Sequence, residues 1–119
     1  MKYMALIYST PNSGPAYGTP EFEPYMAGYF AANAKYTEDG VMVTGEALEA
    51  ADTATTVRVR DGKVETMDGP FAETKEILGG FYLLDCDNLD DAIKYATLIP
   101  TVEHGCVEIR PVMEIPERD

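Results

Sequence analysis

The chain has 119 residues and carries 21 Asp and Glu against 9 Lys and Arg, a formal net charge of −12, which repels phosphate backbones and anionic membrane surfaces. Its 45% hydrophobic and 25% charged residues are ordinary for a globular chain of this size, so residues 1–119 read as a single domain with its own core. With no apolar run near the roughly 20 residues that span a bilayer, neither nucleic acid nor a membrane is an expected partner.

Lys2 to Ser9 is apolar on both faces, with Met4, Leu6 and Tyr8 on one and Tyr3, Ala5 and Ile7 on the other. It reads as a strand buried on two sides. The apolar run stops at Ser9 with no small-residue cleavage site after it, so it is not a secretion signal and the protein reads as cytoplasmic. Thr10 to Gly18, rich in Pro, Gly and Asn, is a loop. Thr19-Pro20-Glu21 has the residue types of a helix start, although Pro24 could move that start to about Glu23. Phe22, Tyr25, Met26, Tyr29, Phe30 and Tyr36 then follow at helical spacing, with Asn33 the one polar member of the stripe, and Gly40 ends the helix. A stripe of this kind is more often core than a ligand box.

Val41 to Thr44 reads as a second strand, followed by Gly45-Glu46-Ala47-Leu48 and an acidic, alanine-rich loop, 49–54. Thr55 to Arg60 and Lys63 to Met67 flank Asp61-Gly62, a pair that tolerates the positive φ angles of a type I′ turn. The resulting hairpin pairs Arg60 with Lys63, Val59 with Val64 and Arg58 with Glu65, leaving valines mostly on one face and charges on the other.

The stretch Asp68-Gly69-Pro70-Phe71-Ala72-Glu73-Thr74-Lys75-Glu76 follows. Gly69-Pro70 breaks regular structure, and a dense set of ionisable groups surrounds the break. Leu78 to Asp85 is another strand apolar on both faces. Gly79-Gly80 within it calls for a reason such as a close backbone approach, a ligand or packing against another copy, of which the last is the commonest. Asn88 caps a second helix whose apolar side is Leu89, Ala92, Ile93, Ala96 and Ile99, and Pro100 closes it. Thr101 to Gly105 is a loop carrying the single histidine, His104. Cys106 to Ile115 is the last strand, and 116–119 is a polar tail.

The order predicts an α+β fold, a βαββαβ plait with an added hairpin: a four-stranded antiparallel sheet with two helices on one face. Two strands are apolar on both sides, so the second face also needs cover, most simply the same face of a second copy in a homodimer. Cys86 and Cys106 fall on strands that are not neighbours, which excludes a disulfide by reach. Both read as buried, reduced thiols.

The DGPF stretch, together with Met1-Lys2-Tyr3-Met4, Gly45-Glu46-Ala47-Leu48, 53–58, Leu78-Gly79-Gly80-Phe81-Tyr82 and 107–112, resembles the DGPF-type branch of the YCII-related proteins. That resemblance implies a ferredoxin-like fold paired as a dimeric α/β barrel, with a polar cleft between the helices and the sheet. In some relatives it also implies a link to extracytoplasmic-function sigma factors. The wider group includes members with a histidine on the first helix paired with an aspartate, proposed as a catalytic couple, and a branch that looks like a cofactor-free dehydrochlorinase. This chain departs there, because its first helix, Pro20 to Asp39, holds no histidine.

Asp68, Glu73 and Lys75 are the candidate catalytic residues, since a carboxylate beside an ammonium around a forced turn can polarise a ligand or supply an acid or base. The alternative is that Asp68 caps the turn and Glu73 and Lys75 form a surface pair. Arg58 and Arg110 could hold an anionic group, although each has an acid nearby to pair with. Glu46 and Tyr82 complete the ligand-binding candidates. His104 could be a general base, but a loop histidine is more often solvated. No metal ligand set and no cofactor motif is present in the sequence, so none is expected.

Two functions are consistent with this pattern. One is a small-molecule binder or cofactor-free enzyme, lyase-like or hydrolase-like, with its cleft near the DGPF turn. The other is a non-catalytic regulatory or interaction module, such as an accessory to an extracytoplasmic-function sigma factor.

Overall fold

The computed structural model describes residues 1–72 and 74–116; Glu73 and 117–119, most of the predicted tail, lie outside the described residues. The elements are β1 (Lys2–Ser9), α1 (Phe22–Glu38), β2 (Met42–Ala47), β3 (Thr55–Arg60), β4 (Lys63–Asp68), β5 (Ile77–Asp85), α2 (Leu89–Ala96) and β6 (Cys106–Pro111). Single 3₁₀ turns lie at Ala51–Thr53 and Pro100–Glu103. Four strands form one antiparallel sheet in the order β2-β5-β1-β6, and β3 with β4 make a separate hairpin. This is the α+β, ferredoxin-like plait that the element order predicts. No helix among the described residues is long and apolar enough to cross a membrane.

α1 starts at Phe22, not at Pro20, because the Thr19 hydroxyl turns back to donate to the Ala16 carbonyl at 2.7 Å instead of capping. Pro24 sits in the first turn, where a missing N–H leaves no bond unmade. At the other end Gly40 takes φ +71°. Its N–H reaches Thr37 O at 3.1 Å and that of Val41 reaches Tyr36 O at 3.0 Å, which satisfies two carbonyls the helix end would leave bare. Asn88 Oδ1 accepts from the Asp91 N–H at 2.8 Å and starts α2 as expected. That helix stops at Ala96; Leu89 and Ile93 are exposed, while Ala92, Ala96 and Ile99 are buried. β2 runs on to Ala47, and β6 ends at Pro111, short of Ile115, with one last bond from the Val112 N–H to Lys2 O at 2.9 Å.

The core lies between helices and sheet. Tyr3, Ala5 and Ile7 of β1 and Tyr82 and Leu84 of β5 meet Ala32 and Tyr36 of α1, Ala92 of α2, and Ile99. Tyr36 is fully buried; its ring packs edge-on against Tyr82 and Tyr95, and its hydroxyl donates to the Tyr95 carbonyl at 2.6 Å. Small alanines on both helices let them sit close to the sheet, and the tyrosines fill the remaining space.

The outer face of the sheet carries two crosswise rows set by the strand register: Glu46, Phe81, Leu6 and Glu108, then Thr44, Leu83, Met4 and Arg110. The apolar members are half-buried. The hairpin has the predicted register, with Asp61 at φ +53° and Gly62 at φ +74° in its turn. Its valine face stands in solvent, with Val57 61%, Val59 57% and Val64 70% exposed. The molecule is flat, 49 × 45 × 18 Å, with a radius of gyration of 16.7 Å, against about 13.5 Å for a compact chain of this length.

Cys86 and Cys106 are both free; Cys86 directly follows β5 and Cys106 opens β6, with β1 between those two strands. Only Cys86 is buried. Cys106 is exposed, because it opens the edge strand β6, and its thiol donates to Glu76 Oε2 at 3.2 Å.

Candidate functional site

A cleft of about 480 Å³ opens between α1 and the β2–β5 side of the sheet. Its walls are mostly apolar, with Ile7, Met26, Phe30, Met42 and Phe81 among them. Into this apolar space project a few polar groups, the hydroxyls of Tyr29, Tyr82 and Thr101 and the Asn33 amide, while Glu46, whose register sets its side chain on the outer face of the sheet, borders the cleft at its rim. No Lys or Arg is among the described residues that line it. Mostly apolar walls with few convergent polar groups are the general pattern of a small-molecule site.

Local sequence explains how the cleft stays open. A side chain at Gly80 would put its Cβ 2.8 Å from the Glu46 carbonyl oxygen, so only glycine lets β2 lie so close to β5. At Gly45 a Cβ would fall 2.6 Å from the Tyr82 ring. Glycine at these two positions seats the Tyr82 ring against β2 and turns its hydroxyl to Asn33, whose Oδ1 accepts at 2.6 Å. The need for glycine at Gly80 is thus met within one chain, by a neighbouring strand.

Among the described residues, Thr101 is the one buried polar residue apart from the tyrosines, 4% exposed. It hydrogen-bonds the Tyr29 hydroxyl and lies 2.9 Å from the Tyr25 hydroxyl. Burial pushes the Tyr29 hydroxyl up to about 12 and raises that of Tyr82 as well. Both therefore stay protonated across the physiological range and act as donors.

The aromatic stripe of α1 thus divides. Tyr36 is core as expected, but Met26, Tyr29, Phe30 and Asn33 line the cleft. Tyr29, Asn33 and Thr101 are cleft residues that the residue pattern did not single out, with Tyr25 behind Thr101; the available signal was Asn33, the polar break in an aromatic stripe.

Of the residues expected to act, Glu46 and Tyr82 line the cleft. Arg58 Nε donates to Glu65 Oε2 at 2.6 Å on the exposed face of the hairpin. Arg110 is exposed on β6, at the far edge of the sheet from β2. Asp68 ends β4 opposite Thr55, and Lys75 precedes β5; both are exposed, and neither lines the cleft. Glu73 lies outside the described residues. His104, expected to be solvated, instead has partners on both ring nitrogens, Ser13 Oγ at 3.1 Å and Tyr25 OH at 3.2 Å.

Residues 1–116 match the family described as YCII-related domain. The chain belongs to that family. An uncharacterised protein of Rhizobium meliloti (strain 1021) is 38% identical to this YCII-related chain over 114 residues, which are 94% of this chain and 92% of that protein. Among solved structures, the chain is similar to the 5-chloro-2-hydroxyhydroquinone dehydrochlorinase of Burkholderia phenoliruptrix AC1100, determined in complex with 2,5-dihydroxybenzoquinone. The TM-score is 0.51 at 14% identity, over 95% of this chain and 94% of that one. At that identity the likeness is one of fold.

Proposed function

We propose that this YCII-related protein binds a small, flat, hydroxylated molecule in the cleft between α1 and the sheet, and that the site works on it by proton transfer without a cofactor. The observation that carries this reading is the set of hydroxyl and amide groups, Tyr29, Tyr82, Asn33 and Thr101, projecting into an otherwise apolar cavity of about 480 Å³. Aromatic and apolar walls suit a ring, and neutral donors suit its hydroxyl or carbonyl oxygens. With no cation among the described lining residues, a neutral or weakly acidic ligand fits better than a fixed anion. The dehydrochlorinase of the same fold holds a hydroxylated quinone, which makes that chemical class the first to test. Glu46 and Tyr82 keep their place as ligand-binding residues, whereas this reading makes no use of Asp68, Lys75, Arg58 or Arg110.

The second element of the proposal is a homodimer. The half-buried row Met4, Leu6, Phe81 and Leu83, the solvent-exposed valine hairpin and the flat shape are what one half of a face-to-face pair would show. The same surfaces would serve an interaction module, the competing reading. The cleft favours the small-molecule one.

The test is a titration of isotope-labelled protein with hydroquinone and other simple hydroxylated rings, followed by NMR, with 2,5-dihydroxybenzoquinone, an anion at neutral pH, as the comparison. Shifts concentrated on Tyr29, Asn33, Tyr82 and Gly80, and lost in Asn33→Leu, support the reading. Shifts scattered over the surface, or none at millimolar ligand, overturn it.

A further inference from the structure

The hydrogen bonds around His104 run in one direction. The Ser13 hydroxyl has a single proton and donates it to the Thr10 carbonyl at 2.7 Å, so towards His104, 3.1 Å away, Ser13 Oγ can only accept. Nδ1 of the neutral imidazole therefore carries the proton, and Nε2 is the acceptor, facing the Tyr25 hydroxyl at 3.2 Å. Having given its proton to Nε2, Tyr25 accepts from the Thr101 hydroxyl at 2.9 Å. Thr101 in turn accepts from Tyr29, whose hydroxyl faces the cleft. One assignment at Ser13 fixes every donor along the row.

We infer that Tyr29, Thr101, Tyr25 and His104 form a proton relay that carries a proton out of the cleft to His104. This rests on the cleft being a ligand site. A bound O–H passes its proton to the Tyr29 oxygen while Tyr29 releases its own to Thr101, Thr101 to Tyr25, and Tyr25 to Nε2. One proton leaves the ligand, one arrives on the imidazole, and each hydroxyl between them ends neutral. The products are a bound oxyanion and an imidazolium whose Nδ1–H stays on Ser13. Tyr29 is the residue that touches the ligand; Thr101, Tyr25 and His104 act through it. The raised Tyr29 hydroxyl agrees with a group that passes a proton on and does not keep the charge.

The row is built into the packing. A Cβ at Gly28 would lie 2.8 Å from Pro100 Cγ, so glycine there lets α1 approach the Pro100–Glu103 turn closely enough for Tyr25 and Tyr29 to bracket Thr101. At Gly14, φ +79°, a Cβ would lie 2.8 Å from His104 Nε2, so a glycine-backed loop lies against the ring. His104 opens on a groove on the far side of α1, which also carries Glu21, Tyr25 and Glu103. These are the titratable groups that share that groove with it. Histidine is the side chain suited to exchange a proton with solvent between pH 5 and 8.

His104 is the chain's single histidine, so one ring gives the whole signal. Nitrogen-15 NMR of the full chain is expected to show the Nδ1–H tautomer in the neutral form; an Nε2–H tautomer overturns the inference. The second arm adds 4-nitrophenol, whose phenolate absorbs visibly. Binding is expected to raise the phenolate band together with the imidazolium signal of His104. In Tyr25→Phe, whose ring does not line the cleft, phenol binding persists and the His104 response is lost. Binding that shifts cleft residues but leaves His104 unmoved in the wild type overturns the relay and spares the cleft. Should the phenol not bind at all, the cleft reading is what suffers. The tautomer, and whether Tyr29→Phe alters the His104 titration, then decide the relay without a ligand.

Discussion

The Tyr82 hydroxyl donates to Asn33 Oδ1 at 2.6 Å, joining the central strand β5 to the middle of α1 across the floor of the cleft. Tyr82 is buried and Asn33 half-buried. The two halves of this bond are therefore not equivalent. Asn33→Leu strands a buried hydroxyl and is expected to destabilise by about 1–3 kcal/mol, whereas Tyr82→Phe leaves an amide that water can reach and costs about 1 kcal/mol. Urea unfolding of both single variants and the double measures it. Additive effects would mean that the pair does not act as a unit.

Adjacent glycines in β5 should respond differently to alanine. At Gly80 the new Cβ meets backbone of β2 at 2.8 Å, so the strands must part, at a cost of about 1–3 kcal/mol. At Gly79 the nearest atom is Ile7 O at 4.0 Å, and Gly79→Ala should be close to neutral. Equal melting temperatures for the two variants would refute the argument. Gly45→Ala, which presses on the Tyr82 ring, should weaken ligand binding as well as stability.

Acid and alkali should each remove the link between α1 and α2 at Tyr95. Its hydroxyl donates to Asp39 Oδ2 at 2.7 Å. That bond, with Lys35 assisting, lowers Asp39 below its ordinary 3.8, and the same bond pushes Tyr95 up to about 12. The depressed carboxylate contributes stability above 3.8 that is lost as the pH falls through its lower folded value. The raised phenol contributes stability below pH 10 that is lost as the pH climbs to about 12. Tyr95→Phe should therefore lower the urea midpoint between those limits and converge on the wild type outside them. A pH-independent deficit would place the effect in packing alone.

Tyrosine ionisation gives a companion test. Tyr29, Tyr36 and Tyr82 are all raised, chiefly by burial. The ultraviolet tyrosinate signal of the native protein should lag that of the urea-unfolded chain above pH 10 and catch up as the fold opens. Coincident curves would mean that these hydroxyls are not shielded.

If a second copy covers the outer sheet face, Leu6→Lys should give a species of half the mass in sedimentation velocity, since it sets an ammonium group in the middle of the apolar row. Val59→Lys in the hairpin is expected to act in the same direction. A wild type that sediments at 13.1 kDa at every concentration would dispose of the dimer.

The plait was legible because its signals are local and redundant. Alternation along Lys2–Ser9 and Leu78–Asp85, the Asp61-Gly62 turn and the Asn88 cap each name an element and a register without reference to the rest of the chain. Helix ends were less legible, since the choice between Thr19 and Phe22 depended on whether one hydroxyl turned forwards or back. The site was read only in part. Ionisable groups crowd the DGPF turn, and sequence proximity drew attention there. The cleft, however, is assembled from residues 7 to 101, and its polar groups are tyrosine, asparagine and threonine, which look like ordinary core and loop residues one at a time. Tyr82 stands out in the sequence as a hydroxyl on an apolar strand, and it lines the cleft. Thr101 and Tyr29 do not stand out, because their meaning lies in touching each other across 72 residues.

The strand order sets a timetable for folding. β1 lies between β5 and β6, so once made it cannot find either neighbour until Ile77–Asp85 and then Cys106–Pro111 have followed it from the ribosome. Tyr3 waits for Leu84 on one side and Pro111 on the other. Until then its apolar edges are open to any other chain. Nascent chains that still lack β6 should therefore be the ones that call on chaperones, and β6, by closing the second edge of β1, is the step that makes this domain safe from aggregation.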